Sequence, residues 1–146
     1  MKDKYLIHIP KKNHLTGILH QRNNLFALLM EAKFLNRIAI IPHLLLNGKH
    51  NNGKNIETSW DKYVDIKNIQ SFHHSTVLDE FDKFNALPSN LINENTQPHQ
   101  IIDNNTPLII REHNKYPNYY ILINTIGRED WYSKLIDLFR PSEKII

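Results

Sequence analysis

Tyr5, Leu6, Ile7 and Ile9 form a near-continuous apolar run around His8, which predicts a strand over Lys4–Ile9 buried on both faces. Farther on the period changes. Leu25, Leu28, Leu29, Ala32 and Leu35 recur at helical spacing, Phe26 and Met30 widen the stripe, and a helix is predicted over Gln21–Leu35. Asn36 suits the left-handed residue that ends such a helix. Ile38–Ile41 is a short β-branched run closed by Pro42, hence a second strand. A strand, a crossover helix and a strand at this spacing make a βαβ unit, which implies a parallel sheet. The connection from the first strand to the helix is the loop Pro10–His20, which contains Gly17.

The rest of the chain is less periodic. His43–Ser59, with Gly48 and Gly53, reads as a loop, and Trp60 and Tyr63 behind it read as the aromatic anchors that pin it to the domain. Thr76–Asn85 predicts a short helix with Leu78, Phe81 and Phe84 on one side. Pro88–Pro107 reads as irregular, and Leu108–Arg111 and Tyr119–Ile123 as two further strands. A last helix from about Arg128 would present Trp131, Leu135, Leu138 and Phe139 before Arg140-Pro141 ends it. Ser142-Glu143 reads as the cap of another helix that stops at Ile146. The expectation is one α/β domain over residues 1–146, a Rossmann-like parallel sheet flanked by helices.

Composition narrows the function classes. The formal net charge is only +3, and Lys11-Lys12 is the single adjacent basic pair, so no basic stripe suited to nucleic acid is expected. Without cysteine, disulfides, thiol catalysis and zinc–cysteine sites are excluded. No apolar run approaches the ~18 residues of a membrane span, and the run behind Met1 is too short and polar for a secretory signal. A cytoplasmic location is therefore expected if Met1 is the native start.

Candidate chemistry concentrates in the first loop. Gly17 serves either as a turn residue or as a point of close backbone approach to a phosphate or sugar. The helix that follows offers unpaired N–H groups to an anion. Gln21 and Arg22 fall in or near its first turn, where Arg22 could bind a phosphate by charge-assisted bonds. His20 is either a solvent histidine at the helix start or a general base. His8, inside a strand, reads as structural, and Glu31, mid-helix, as unremarkable. Asp61 and Asp65 read as exposed acids. His73 and His74 lack a third ligand at metal spacing, so no metal site is expected.

Thr16-Gly17-Ile18-Leu19-His20-Gln21-Arg22, then Ala32-Lys33-Phe34-Leu35-Asn36-Arg37 and Ile40-Ile41-Pro42, resemble the N-terminal half of the GDP-fucose protein O-fucosyltransferase superfamily. The Trp60–Asp65 segment and Phe139-Arg140-Pro141-Ser142 are similar to later stretches of that half. The resemblance implies the N-terminal domain of a GT-B-type glycosyltransferase. It implies transfer of fucose from GDP-fucose to a protein hydroxyl without metal or other cofactor, with a glycan or protein acceptor and a second, donor-binding domain as partners. Gly17, Gln21 and Arg22 fall on donor or substrate positions, with His20 as the speculative catalytic base. Thr16 stands where the family has its first glycine, Leu19 or His20 where it has the loop asparagine, and no H-x-R motif occurs. Two alternatives stay open: a non-catalytic module that binds a glycan or protein, and a sugar transferase of the α-1,2-fucosyltransferase type.

Overall fold

The computed structural model of the protein describes residues 3–10, 18–46, 56–81, 86–93, 95–113, 133–134 and 136–139. Strand β1 (Tyr5–Pro10) leads to helix α1 (Ile18–Leu35) and strand β2 (Ile38–Ile41). Strands β3 (Leu44–Leu46) and β4 (Ile56–Thr58), helix α2 (Ile66–Phe72) and strands β5 (Ser75–Val77), β6 (Ser89–Ile92) and β7 (Leu108–His113) follow. Five of the strands form one parallel sheet in the order β5-β2-β1-β7-β6. The fold is thus α/β, with a parallel sheet flanked by helices and compatible with a Rossmann-like class.

The sheet's two faces follow from strict alternation. Tyr5, Ile7, Ile40 and Leu108 point to one side, where Ile9, Ile38, Ile110 and the Phe81 ring join them. The rings of Tyr5 and Phe81 lie tilted at 4.7 Å between centroids. Leu6, Ala39, Ile41 and Ile109 point to the other side, into the larger core with α1. Burial on both faces is why these strands read as continuous apolar runs rather than alternating ones.

Helix α1 is the centre of the larger core. Every residue from Leu25 to Ala32 is buried. A helix covered on all sides needs apolar residues all round, not one stripe. The sheet covers one side. Leu44 of β3, Trp60, Ile69 of α2, Ile101, Leu138 and Phe139 also join this core. Phe139 meets Phe26 edge-on at 6.2 Å. At its C-terminus Asn36 adopts φ 55°, the left-handed conformation expected of it. Arg37 then turns inward at the amino edge of the sheet. Its guanidinium donates to the carbonyls of Asn104 (2.7 Å), Thr106 (2.8 Å) and Tyr5 (3.2 Å), tying the starts of β1 and β7 to the start of β2.

Several expectations are corrected. The segment His43–Ser59 is not wholly loop: β3 and β4 pair antiparallel from Leu44↔Thr58 to Leu46↔Ile56, anchored by the fully buried Leu44. Trp60 is buried behind them, as expected of an anchor. Asp65 is exposed, as expected, but it also caps a helix. Its Oδ1 accepts from the N–H groups of Lys67 and Asn68 and so starts α2. Thr76–Asn85 does not begin as a helix. Ser75–Val77 is a strand paired with β2, and Leu78–Glu80 is a single 3-10 turn. That turn produces the three-residue spacing of Leu78 and Phe81 that imitates a helix. Pro88–Pro107 is not irregular throughout, because Ser89–Ile92 is the edge strand β6 and Pro98–Ile101 a 3-10 turn closed by a reciprocal Gln97–Gln100 capping box. The last helix is seen only through residues 133–134 and 136–138, beside which Leu138 and Phe139 are buried. Gly17, Tyr119–Ile123, Trp131 and Leu135 lie outside the described residues. Among those described, no helix is long and apolar enough to cross a membrane.

Candidate functional site

The chain runs outward from β1 through β2 to β5, then returns on the other side of β1 with β6 and β7. The steps β1→β2 and β6→β7 run the same way across the sheet, and their connections, α1 and Pro98–Ile101, pack on the same face. In open parallel sheets ligands bind beyond the carboxyl ends of the strands. For β1 and β7 those ends are Ile9-Pro10 and Glu112-His113, paired in register. Helix α1 starts at the same edge, because it follows β1 and returns to β2. Its first turn carries no acid to offset the positive end of the helix dipole.

The residues singled out in the sequence fall differently around this edge. His20 lies in the first turn of α1, but its side chain is outside the described set, as is Gly17. Gln21 is engaged with the protein itself: its amide donates to the Leu45 carbonyl at 2.7 Å and accepts from the Leu45 N–H at 2.8 Å. This pairing mimics a strand neighbour and fastens β3 to the start of α1. Arg22 is half-buried, and its Nε finds no hydrogen-bond partner among the described residues. The same holds for Oδ1 of Asn23 and of Asn24. Three consecutive residues near the start of α1 thus hold buried polar atoms without partners among the described residues, each costing about 1–3 kcal/mol if left so.

Deeper between β1, β7 and α1 lies a network that the sequence did not foretell. His8 and Arg111 are register partners on the α1 side of the sheet. Glu31 reaches them from α1, one of whose faces it shares with Asn24 two turns nearer the ligand edge. Glu31 Oε1 accepts from Arg111 Nε at 2.7 Å and lies 2.8 Å from His8 Nε2, while Oε2 accepts from Arg111 Nη2. Arg111 Nη1 also donates to the carbonyls of Thr96 and Asn93, fixing the connection after β6. All three side chains are at most 3% exposed. Burial is the largest influence on each titrating group. It holds the His8 imidazole below its ordinary 6.5, against the opposing pull of Glu31. For Glu31 burial would raise the carboxyl, but the bonds from His8 and Arg111 outweigh it and hold it below its ordinary 4.5. His8 is accordingly neutral at pH 7, with Nε2–H donating to Glu31 and a bare lone pair on Nδ1. That Nδ1 has no partner among the described residues.

His8 is thus buried in the sheet and bonded to Glu31, and Glu31 is far from unremarkable. The available signal was the intrusion of one ionisable residue into each of three apolar runs, His8, Glu31 and Arg111. Buried charges need partners, and these three are one another's. Among the described residues no group of three or more His, Asp or Glu is placed to hold a metal ion.

The fold is an α/β sheet whose candidate ligand edge lies at the carboxyl ends of β1 and β7, beside the start of α1. No protein family, characterised protein or solved structure matches the chain.

Proposed function

We propose that this domain binds a sugar nucleotide of the GDP-fucose type at the carboxyl edge between β1 and β7, as the N-terminal half of a GT-B-like fucosyltransferase. The observation that carries the reading is the Nε of Arg22, without a partner among the described residues, near an uncompensated helix start at the carboxyl edge of the sheet. An arginine there supplies planar donors matched to a phosphate. In transfer, the acceptor oxygen bonds to the sugar's anomeric carbon as the bond to the diphosphate breaks. Arg22 would stabilise the charge gathering on that leaving group. The amide oxygens of Asn23 and Asn24, without partners among the described residues, would accept from sugar or ribose hydroxyls. The acceptor is a glycan or protein hydroxyl, and a second domain would complete the cleft. His20 retains its proposed role as base.

A second reading, a glycan- or protein-binding module without turnover, is favoured by Gln21, whose amide is committed to Leu45. Calorimetric titration of the full chain separates the two. Saturable binding of GDP-fucose, weakened by about 1–3 kcal/mol in Arg22→Ala, is expected if Arg22 bonds phosphate. Absence of heat at millimolar GDP-fucose, with heat from a fucosylated glycan, would instead select the module.

A further inference from the structure

His43 stands between β2 and β3 with a carboxylate on each ring nitrogen. Nδ1 lies 3.1 Å from Glu57 Oε2 on β4, and Nε2 lies 2.7 Å from Asp79 Oδ1 in the turn after β5. A neutral imidazole has one N–H and one lone pair, so it can satisfy only one of these acceptors and repels the other. Only the doubly protonated ring donates to both. The three residues come from three separate segments gathered beyond the carboxyl ends of β2 and β5. Among the described residues, Glu57 and Asp79 are the charged groups that face the ring from the two elements packed against it. We propose that His43 is a proton-dependent latch that ties the β3–β4 pair to the carboxyl edge of the sheet and releases β4 when the ring loses a proton.

The latch sits on the same edge as the start of α1, and Gln21 fastens the other strand of the pair to that helix. Protonation therefore sets how firmly this strand pair is held beside the ligand edge, while Leu44 keeps β3 anchored in either state. Burial is the largest single influence and disfavours the charged ring, but the bonds and charges of Asp79 and Glu57 together outweigh it and place the titration above the ordinary 6.5. The latch is closed below that point and opens as pH rises through it.

The test follows imidazole nitrogens by NMR, and amide exchange at Leu44–Leu46 and Ile56–Thr58, from pH 5.5 to 9. The expected His43 midpoint lies above 6.5 and moves toward it in Asp79→Asn and in Glu57→Gln. Exchange corrected for its intrinsic pH dependence should quicken roughly two- to fivefold across that midpoint, the range of exposed ion pairs. In His43→Asn the step should vanish, with the faster exchange at every pH. A midpoint at or below 6.5, or a step that persists in His43→Asn, overturns the latch. Neither result depends on any ligand, so the outcome is independent of the sugar-nucleotide reading.

Discussion

Replacing Glu31 by Gln keeps the side chain's shape and removes its charge. In the native protein both carboxylate oxygens face Arg111, and Oε1 also receives His8. The amide can present only one acceptor oxygen, so its NH2 group must confront an N–H of Arg111 or of His8. The Arg111 guanidinium, 1% exposed, is left without a counter-charge. Removing one partner of a buried ion pair costs about 3–5 kcal/mol, a large part of the ~5–15 kcal/mol that stabilises a domain. With a urea m-value of about 2 kcal/mol/M, the unfolding midpoint should fall by roughly 1.5–2.5 M. The assay is urea unfolding followed by far-UV circular dichroism. Glu31→Leu combined with Arg111→Met should recover about half of the loss, because it removes both charges together, leaving mainly the ~1–3 kcal/mol of an unpaired His8. A shift below about 0.5 M in Glu31→Gln would refute the claim that this pair is buried and mutually dependent.

The same network gives the protein a pH profile. The folded pKa of His8 lies below 6.5, so the unfolded chain takes up that proton more readily and stability should fall as pH drops below about 6.5. Glu31, also depressed in the fold, should extend the loss below its ordinary 4.5, and His43, raised and partly exposed, opposes it only weakly. Thermal melts between pH 4 and 8 check the direction, and a flat profile in His8→Gln above pH 5 would confirm its source. Gln21→Leu leaves both backbone groups of Leu45 unpaired and should cost about 1–3 kcal/mol in urea unfolding, with faster amide exchange confined to β3 and β4. Arg37→Lys replaces a planar fork that reaches several carbonyls by a point charge that cannot span them. It should lower stability by about 1–3 kcal/mol without altering ligand binding at the opposite edge.

What the sequence made legible was set by the length and burial of each element. β1, α1, β2 and the start of β7 are long or enclosed enough for their apolar pattern to exceed chance, and Asn36 was readable because few residues tolerate its φ. β3, β4 and β5 have three residues each, too few for any period to register. β6 pairs on one side only, and its Ser89-Asn90-Leu91-Ile92 has no apolar face to read, since Leu91 is itself exposed. α2 depends on the Asp65 cap more than on its stripe. At the candidate site, α1 begins at Ile18 rather than Gln21, which puts Arg22 in its second turn, and Gln21 could equally have faced solvent, ligand or chain. Only the neighbouring backbone of β3 decided that. Glu31 was obscured because a charge in a helix is ordinarily solvated, and its burial depends on elements far away in the chain.

The central proposal is that the carboxyl edge at β1 and β7 takes a sugar nucleotide. Mapping amide shifts of the 15N-labelled chain during a GDP-fucose titration tests it most directly. The account predicts saturable shifts at Ile9, at Arg22–Asn24 and at Glu112, lost together in Arg22→Ala while the rest of the spectrum is retained. Shifts gathered instead at the amino edge, around Arg37 and Asn104, or no shift at millimolar GDP-fucose, would contradict it.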